Sequence, residues 1–333
     1  MKELFRTVID VPKPEKQLSY VDKIMLVGSC FADNIGTRLK DHKFRTNHNP
    51  FGVLYNPLSI KKDIEILLDK NRLKEADLHY YNDLWFSFRH HSSFSHPDKQ
   101  ECLERINTSL LKASEFLSDA GFLFITFGTA WVYERKADNS IVANCHKLPA
   151  GEFNRYLLTV DDIIQNYEQL IDRIRKLNPA LKIVFTVSPI RHWKDGAINN
   201  QVSKSTLILA IHRLLEKYPD VEYFPAYEIF MDELRDYRFY GNDMLHPSET
   251  AVDYTWKIFS DTYIDHTSKE LMKEIVKINK AKNHRPMNPS TDTYRDFLRN
   301  TIRKIESLQK THPYLSLDED LLYFTMQLKE YFV

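Results

Sequence analysis

The sequence predicts an α/β protein: a parallel sheet of about five strands with helices on both faces, followed by a helical C-terminal extension. Three observations carry this. Short apolar runs bounded by turn residues recur at 24–28, 122–128, 182–189 and 221–226, as buried strands do. Stretches with apolar residues every three or four positions separate the later runs, as crossover helices must. Polar residues collect directly after nearly every run, and open parallel sheets bind ligands outside the carboxyl ends of their strands.

In chain order, "IMLVG" (24–28) is the first strand, and "ADNIGTRLKDH" after it is long enough for one helix. "KFRTN" (43–47) is a candidate second strand, short and polar at its end. Residues 69–98 break the rhythm. They are too aromatic for a disordered linker and too long for a plain connection, so a functional loop is expected there. "CLERINTSLLKASEFLSDA" (102–120) and "VDDIIQNYEQLIDRIRKLN" (160–178) read as amphipathic helices on either side of the strand "FLFITFG" (122–128). "KIVFTVSP" (182–189) and "VEYFPA" (221–226) complete the sheet. From residue 266 onward "SKELMKEIVKINKAK" and "DTYRDFLRNTIRKIESLQK" are charged amphipathic helices joined by the breaker "NHRPMNPST". The predicted division is a sheet domain over 1–265 and a helical appendage over 266–333, with a dimerisation arm as the competing role.

Composition narrows the function classes. Hydrophobic residues at 43% and charged residues at 28% are the balance of a soluble globular protein. Lys plus Arg and Asp plus Glu are both 46, so no global charge draws the chain to nucleic acid. No apolar run is long enough to span a bilayer, and the N-terminus lacks the apolar core of a secretory signal. A cytoplasmic protein without a membrane partner is therefore expected. Cys30, Cys102 and Cys145 are too few and too scattered for a disulfide framework or a zinc motif. No Gly-rich phosphate fingerprint follows a strand, and no cofactor or metal is expected. His90, His91 and His96 cluster, but neighbouring loop histidines rarely ligate one ion.

The residues suited to chemistry lie after the strands. Ser29 and Cys30 follow the first, Gly128, Thr129, Ala130 and Trp131 follow 122–127, and Ser188, Arg191 and His192 follow 182–187. "DMLHPSE" is the sharpest signal: Asp243 and His246 are three apart, just before a helix whose first turn tolerates Pro247. That spacing lets the carboxylate hold the imidazole Nδ1 proton and leave Nε2 free as a base. A turn-forming aspartate and a helix-capping histidine explain the same residues equally well. Trp85 and His91, with Ser92, are expected to wall the cleft on the substrate side. Arg191 and His192 suit an anionic or sugar substrate, or else belong to a solvated loop.

Gly-Ser-Cys after the first strand and Asp-x-x-His before the last sheet-flanking helix together resemble the SGNH/GDSL hydrolases. More narrowly, "GSCFA" at 28–32 is the sequence after which the GSCFA family is named, and "NPFGVLYNP", "FGTAWVYE", "NCHKLP" and "VSPIRHWKDG" resemble stretches of that family. The resemblance spans about 20–262. It implies a flavodoxin-like, three-layer α/β/α fold and an ester or thioester hydrolase, with a carbohydrate O-acyl ester as one candidate substrate. An acyltransferase on a glycan acceptor and a catalytically silent ligand-binding protein are the alternatives. His246 becomes the base, Asp243 its orienting partner, and Gly52 a source of an oxyanion-hole amide. The superfamily's third block usually offers an Asn where this chain has Gly128, Thr129 and Ala130, so Thr129, Asn144, Asn49 or a backbone amide must substitute. Ungapped alignment makes Cys30 the nucleophile, at a helix N-terminus where a thiol pKa falls. A shift of one residue presents Ser29 instead, and a third possibility is an inert buried thiol at Cys30.

Overall fold

The computed structural model describes residues 7–332. β1 (Lys23–Gly28) turns directly into α1 (Cys30–Asp41), followed by β2 (Arg45–His48) and α2 (Pro57–Leu68). A hairpin, β3 (His79–Tyr81) and β4 (Leu84–Phe86), precedes α3 (Lys99–Ser118) and β5 (Phe122–Phe127). Then come β6 (Trp131–Arg135), β7 (Ile141–Val142), β8 (Phe153–Leu157) and α4 (Val160–Leu177). β9 (Lys182–Val187), α5 (Gly196–Lys217), β10 (Glu222–Phe224), the single turn α6 (Ala226–Glu228) and α7 (Glu249–Tyr263) complete the sheet domain. The chain ends in α8 (His266–Asn283), α9 (Asp292–Thr311) and α10 (Asp318–Phe332).

Five strands form one parallel sheet in the order β2-β1-β5-β9-β10. Counted within the sheet this is 2-1-3-4-5, the flavodoxin-like order, and the predicted fold class holds. The chain reverses its direction of winding between β1 and β5, so the loops leaving these two strands part and open a crevice. The period-2 alternation of a strand divides the core in two. Met25, Val27, Leu123, Ile125 and Phe185 pack towards α2, α3, α4 and α5. Ile24, Leu26, Phe124 and Phe224 pack towards α1 and α7. Every residue of β5 is buried, as a central strand covered on both faces requires.

The C-terminal helices join the second of these cores: Ile275 of α8, Leu298 and Ile305 of α9 and Phe324 of α10 lie in the same cluster as Ile24 and Phe124. A buried ion pair fastens them. Asp320 of α10 receives Lys282 of α8 at 2.9 Å and Lys43, from the α1–β2 turn, at 2.5 Å. No helix among the described residues is long and apolar enough to cross a membrane.

Two features depart from the expected pattern. Residues 69–98 are not one irregular loop: they hold the β3–β4 hairpin and two short 3₁₀ turns. Asn82 and Asp83, both left-handed with φ of 48° and 61°, form the two-residue turn that suits a twisted hairpin. Between β5 and α4 the chain adds a small antiparallel sheet, β7-β6-β8, unexpected from the sequence because its strands are two to five residues long. It stands over the crevice.

Candidate functional site

The site begins at Gly28. Its φ of +127° is a conformation L side chains rarely adopt, and a Cβ there would lie 2.1 Å from the Thr126 carbonyl oxygen of the neighbouring strand. Only glycine lets β1 and β5 approach this closely and then turn sharply into α1. Asn49 secures the turn by accepting the Gly28 N–H at 2.9 Å on its buried Oδ1. Ser29 is the N-cap of α1, 2% exposed, its hydroxyl turned to the Phe31 N–H. Cys30, the first residue of the helix, is half-buried and hydrogen-bonded to the Tyr55 hydroxyl. Burial pushes the thiol above its ordinary pKa, an effect the Tyr55 bond opposes and the Asp33 carboxylate reinforces. The lowered thiol pKa expected at a helix N-terminus is thus not found, because desolvation outweighs it. Tyr55 in turn is pushed up to about 12, by burial first and then by the thiol.

Asp243 and His246 meet as their spacing predicts. The His246 Nδ1 lies 2.5 Å from Asp243 Oδ2, while Oδ1 accepts the backbone N–H of His246 at 2.9 Å and of Leu245 at 3.0 Å. The His246 amide, then its ring, then the Leu245 amide hold the Asp243 carboxyl well below the usual range. Met244 between them is left-handed, φ 58°, which curls the segment tightly enough for both bonds. The imidazole is therefore anchored through Nδ1, with Nε2 left for chemistry.

Ser29, Cys30, Tyr55, Thr129, Arg191, His192 and His246 border one cleft of about 420 Å³ at the carboxyl ends of the strands. Its outer wall is the small antiparallel sheet. The Arg155 guanidinium stacks 4.3 Å from the Trp131 ring, and Arg155 is ion-paired with Asp195. Behind it lies Lys204, fully buried, donating to the carbonyls of Gly128 and Ser188, each at 2.6 Å. Burial, then the charge of Arg191, brings its ammonium down to about 7. Lys204 ties the ends of β5 and β9. Burial, then Lys204, lowers His192 to about 4, so its ring is neutral at pH 7.

The other sequence candidates are occupied elsewhere. Gly52 donates its N–H to the Asn49 carbonyl at 2.7 Å, and its missing Cβ makes room for His91, whose Cβ would lie 2.2 Å away. Thr129 spends its N–H on the Tyr55 carbonyl and its hydroxyl on Ser203 and the Trp131 N–H. Asn144 accepts the His146 N–H at 2.9 Å. Gly52, Asn49 and Asn144 do not border the cleft, and Thr129, which does, has its N–H and hydroxyl engaged. His91 caps the turn at Ser92–Phe94, and Trp85 packs beneath Lys99 and beside Tyr80, so neither borders the cleft. Sequence reading missed Tyr55, Arg155 and Lys204. Tyr55 lies within "NPFGVLYNP", where nothing marks the tyrosine as a site residue, and a lysine in an amphipathic helix gives no sign of burial.

The GSCFA family model matches residues 23–259, and the model of the C-terminal domain of GSCFA domain proteins matches residues 275–330. No curated protein matches the chain.

Proposed function

This chain belongs to the GSCFA family, and we propose that it is a hydrolase of carboxylic esters or thioesters, of the SGNH type, in which a thiol replaces the serine hydroxyl. The observation that carries this reading is the Asp243–His246 pair opening onto the same cleft as Cys30. Both border the cleft, but Cys30 is favoured over Ser29 because the serine is 2% exposed and committed to capping α1, whereas the thiol is half-buried and bonded to Tyr55.

With its pKa raised, the resting thiol is protonated. The attack therefore runs by general-base catalysis, without a preformed thiolate–imidazolium pair. Sγ adds to the acyl carbon as His246 Nε2 takes the thiol proton, and the carbonyl electron pair moves onto oxygen. Asp243 steadies the imidazolium. Collapse of the tetrahedral adduct expels the alcohol or thiol, which receives the proton from His246. Water, deprotonated by His246, then releases the acid and restores Cys30. The oxyanion sits at the N-terminus of α1, where the Cys30 amide and the helix dipole favour negative charge.

Turnover of 4-nitrophenyl acetate tests this. Wild type is expected to release nitrophenolate with a burst, and Cys30→Ala and His246→Ala each to lose at least about 10²-fold in kcat/KM. Activity that survives Cys30→Ala and is lost in Ser29→Ala moves the nucleophile to Ser29. One observation favours a second reading, a silent ligand-binding protein: of the residues expected to build the oxyanion hole, Gly52, Asn49 and Asn144 lie away from the cleft and Thr129 is engaged by Tyr55, Ser203 and Trp131. Absence of turnover in wild type selects it.

A further inference from the structure

The whole chain is electrically balanced, with 46 basic and 46 acidic residues. Its cleft is not. Arg155, Arg191 and Lys194 border it, against Asp195 as the single acid, and Asp195 is already held by Arg155. The acids nearest the catalytic groups are also engaged, Asp243 by His246 and Asp33 by Asn49 and, at 3.9 Å, His48. Among the described residues Arg191 has only the Met231 sulfur as a hydrogen-bond partner, and Lys194 only the Tyr133 hydroxyl at 3.2 Å. Two cations without counterions at one cleft attract an anion and raise its local concentration.

The same cleft presents flat apolar faces. Trp131, Tyr133 and Trp193 border it, and Trp193 is 55% exposed. The Lys194 ammonium lies 5.7 Å from the Tyr133 ring centre, so cation and aromatic face are offered side by side. A pyranose ring lays its C–H face on such a surface while a carboxylate on the same ring reaches the planar fork of an arginine.

Resting on the hydrolase reading for its acyl chemistry, we infer that the cleft selects acylated sugars bearing a carboxylate, with Arg191 and Lys194 gripping the charge and Trp193 stacking on the ring. The acyl group is then directed inward to Cys30 and His246. Selectivity arises because an uncharged sugar leaves both cations unpaired.

A matched pair separates this inference from the hydrolase reading: methyl glucuronide and its carboxamide, a near-isosteric sugar that lacks the charge and carries no ester. Binding of each, without an acyl group, is measured by calorimetry on the full-length wild type. The charged sugar is expected to bind about tenfold more tightly, an advantage that shrinks with added salt and is lost in Arg191→Gln and reduced in Lys194→Gln. Trp193→Ala is expected to weaken both sugars alike. Equal binding of the pair, or tighter binding of the carboxamide, overturns the inference even if 4-nitrophenyl acetate is hydrolysed. Charge-selective binding without turnover of the O-acetylated glucuronide keeps the inference and removes the hydrolase.

Discussion

Ser29 and Cys30 are adjacent in sequence, but the helix they open gives them different work. The N-cap position turns the serine hydroxyl back onto the helix, and the next position sends the thiol outward to Tyr55. Tyr55→Phe removes the bond that opposes desolvation, so the pH midpoint for alkylation of Cys30 by iodoacetamide is expected to move upward; an unchanged or lower midpoint contradicts that role. His90 makes a stability prediction. Both ring nitrogens are buried without a hydrogen-bond partner among the described residues, and the ring stacks on Phe51. Burial, then the charge of Arg89, lowers it to about 3, below the unfolded value. The unfolded chain therefore takes up a proton first on acidification, and stability that is complete above the unfolded pKa of about 6.5 declines as pH falls towards 3. His90→Phe is expected to flatten the fall of Tm between about pH 6.5 and 4; a slope as steep as wild type counts against it. The Asp243–His246 pair was legible because its hydrogen bonds close within four residues. Tyr55 and Lys204 were not, because the fold alone brings them to β1 and to the ends of β5 and β9.

Among the elements, the apolar strands and long amphipathic helices were readable because each hides a whole face, and period then reveals type. The β7-β6-β8 sheet was hidden: β7 has two residues, and Arg135 and Arg155 sit in strands that face solvent or the cleft. The Asn82–Asp83 turn was the available signal for the β3–β4 hairpin. The joint between the sheet and the C-terminal helices is carried at Asp320, whose side chain is 1% exposed. Burial alone would raise its carboxyl; Lys43 and Lys282 reverse this and hold it below the ordinary value. Asp320→Ala leaves two cations facing an empty site, and a loss of about 3 kcal/mol in urea unfolding is expected. A loss below about 1 kcal/mol would mean that the lysines simply turn to water.

The molecule as a whole is a parallel sheet whose two faces bury different partners, and α8, α9 and α10 complete one of them. Truncation after Asp265 uncovers apolar residues of α1 and α7, so the shortened chain is expected to bind a hydrophobic dye and melt lower than the full protein. A truncated chain with unchanged Tm would show the helices to be separable. Lys204 adds an alkaline counterpart to His90. Its folded pKa of about 7 lies below the unfolded value, so its cost to stability is largest below pH 7 and is relieved as pH rises towards about 10.4. Lys204→Met is expected to abolish that rise in stability while leaving the Gly128 and Ser188 carbonyls unpaired, at about 1–3 kcal/mol. The central claim is that Cys30 attacks and His246 takes its proton. The most direct measurement is to quench the full-length protein within a burst of 4-nitrophenyl acetate and map the acetyl group by peptide mass spectrometry. Acetyl on Cys30 in wild type, absent in His246→Ala, is the predicted result; acetyl on Ser29, or on neither residue, would contradict it.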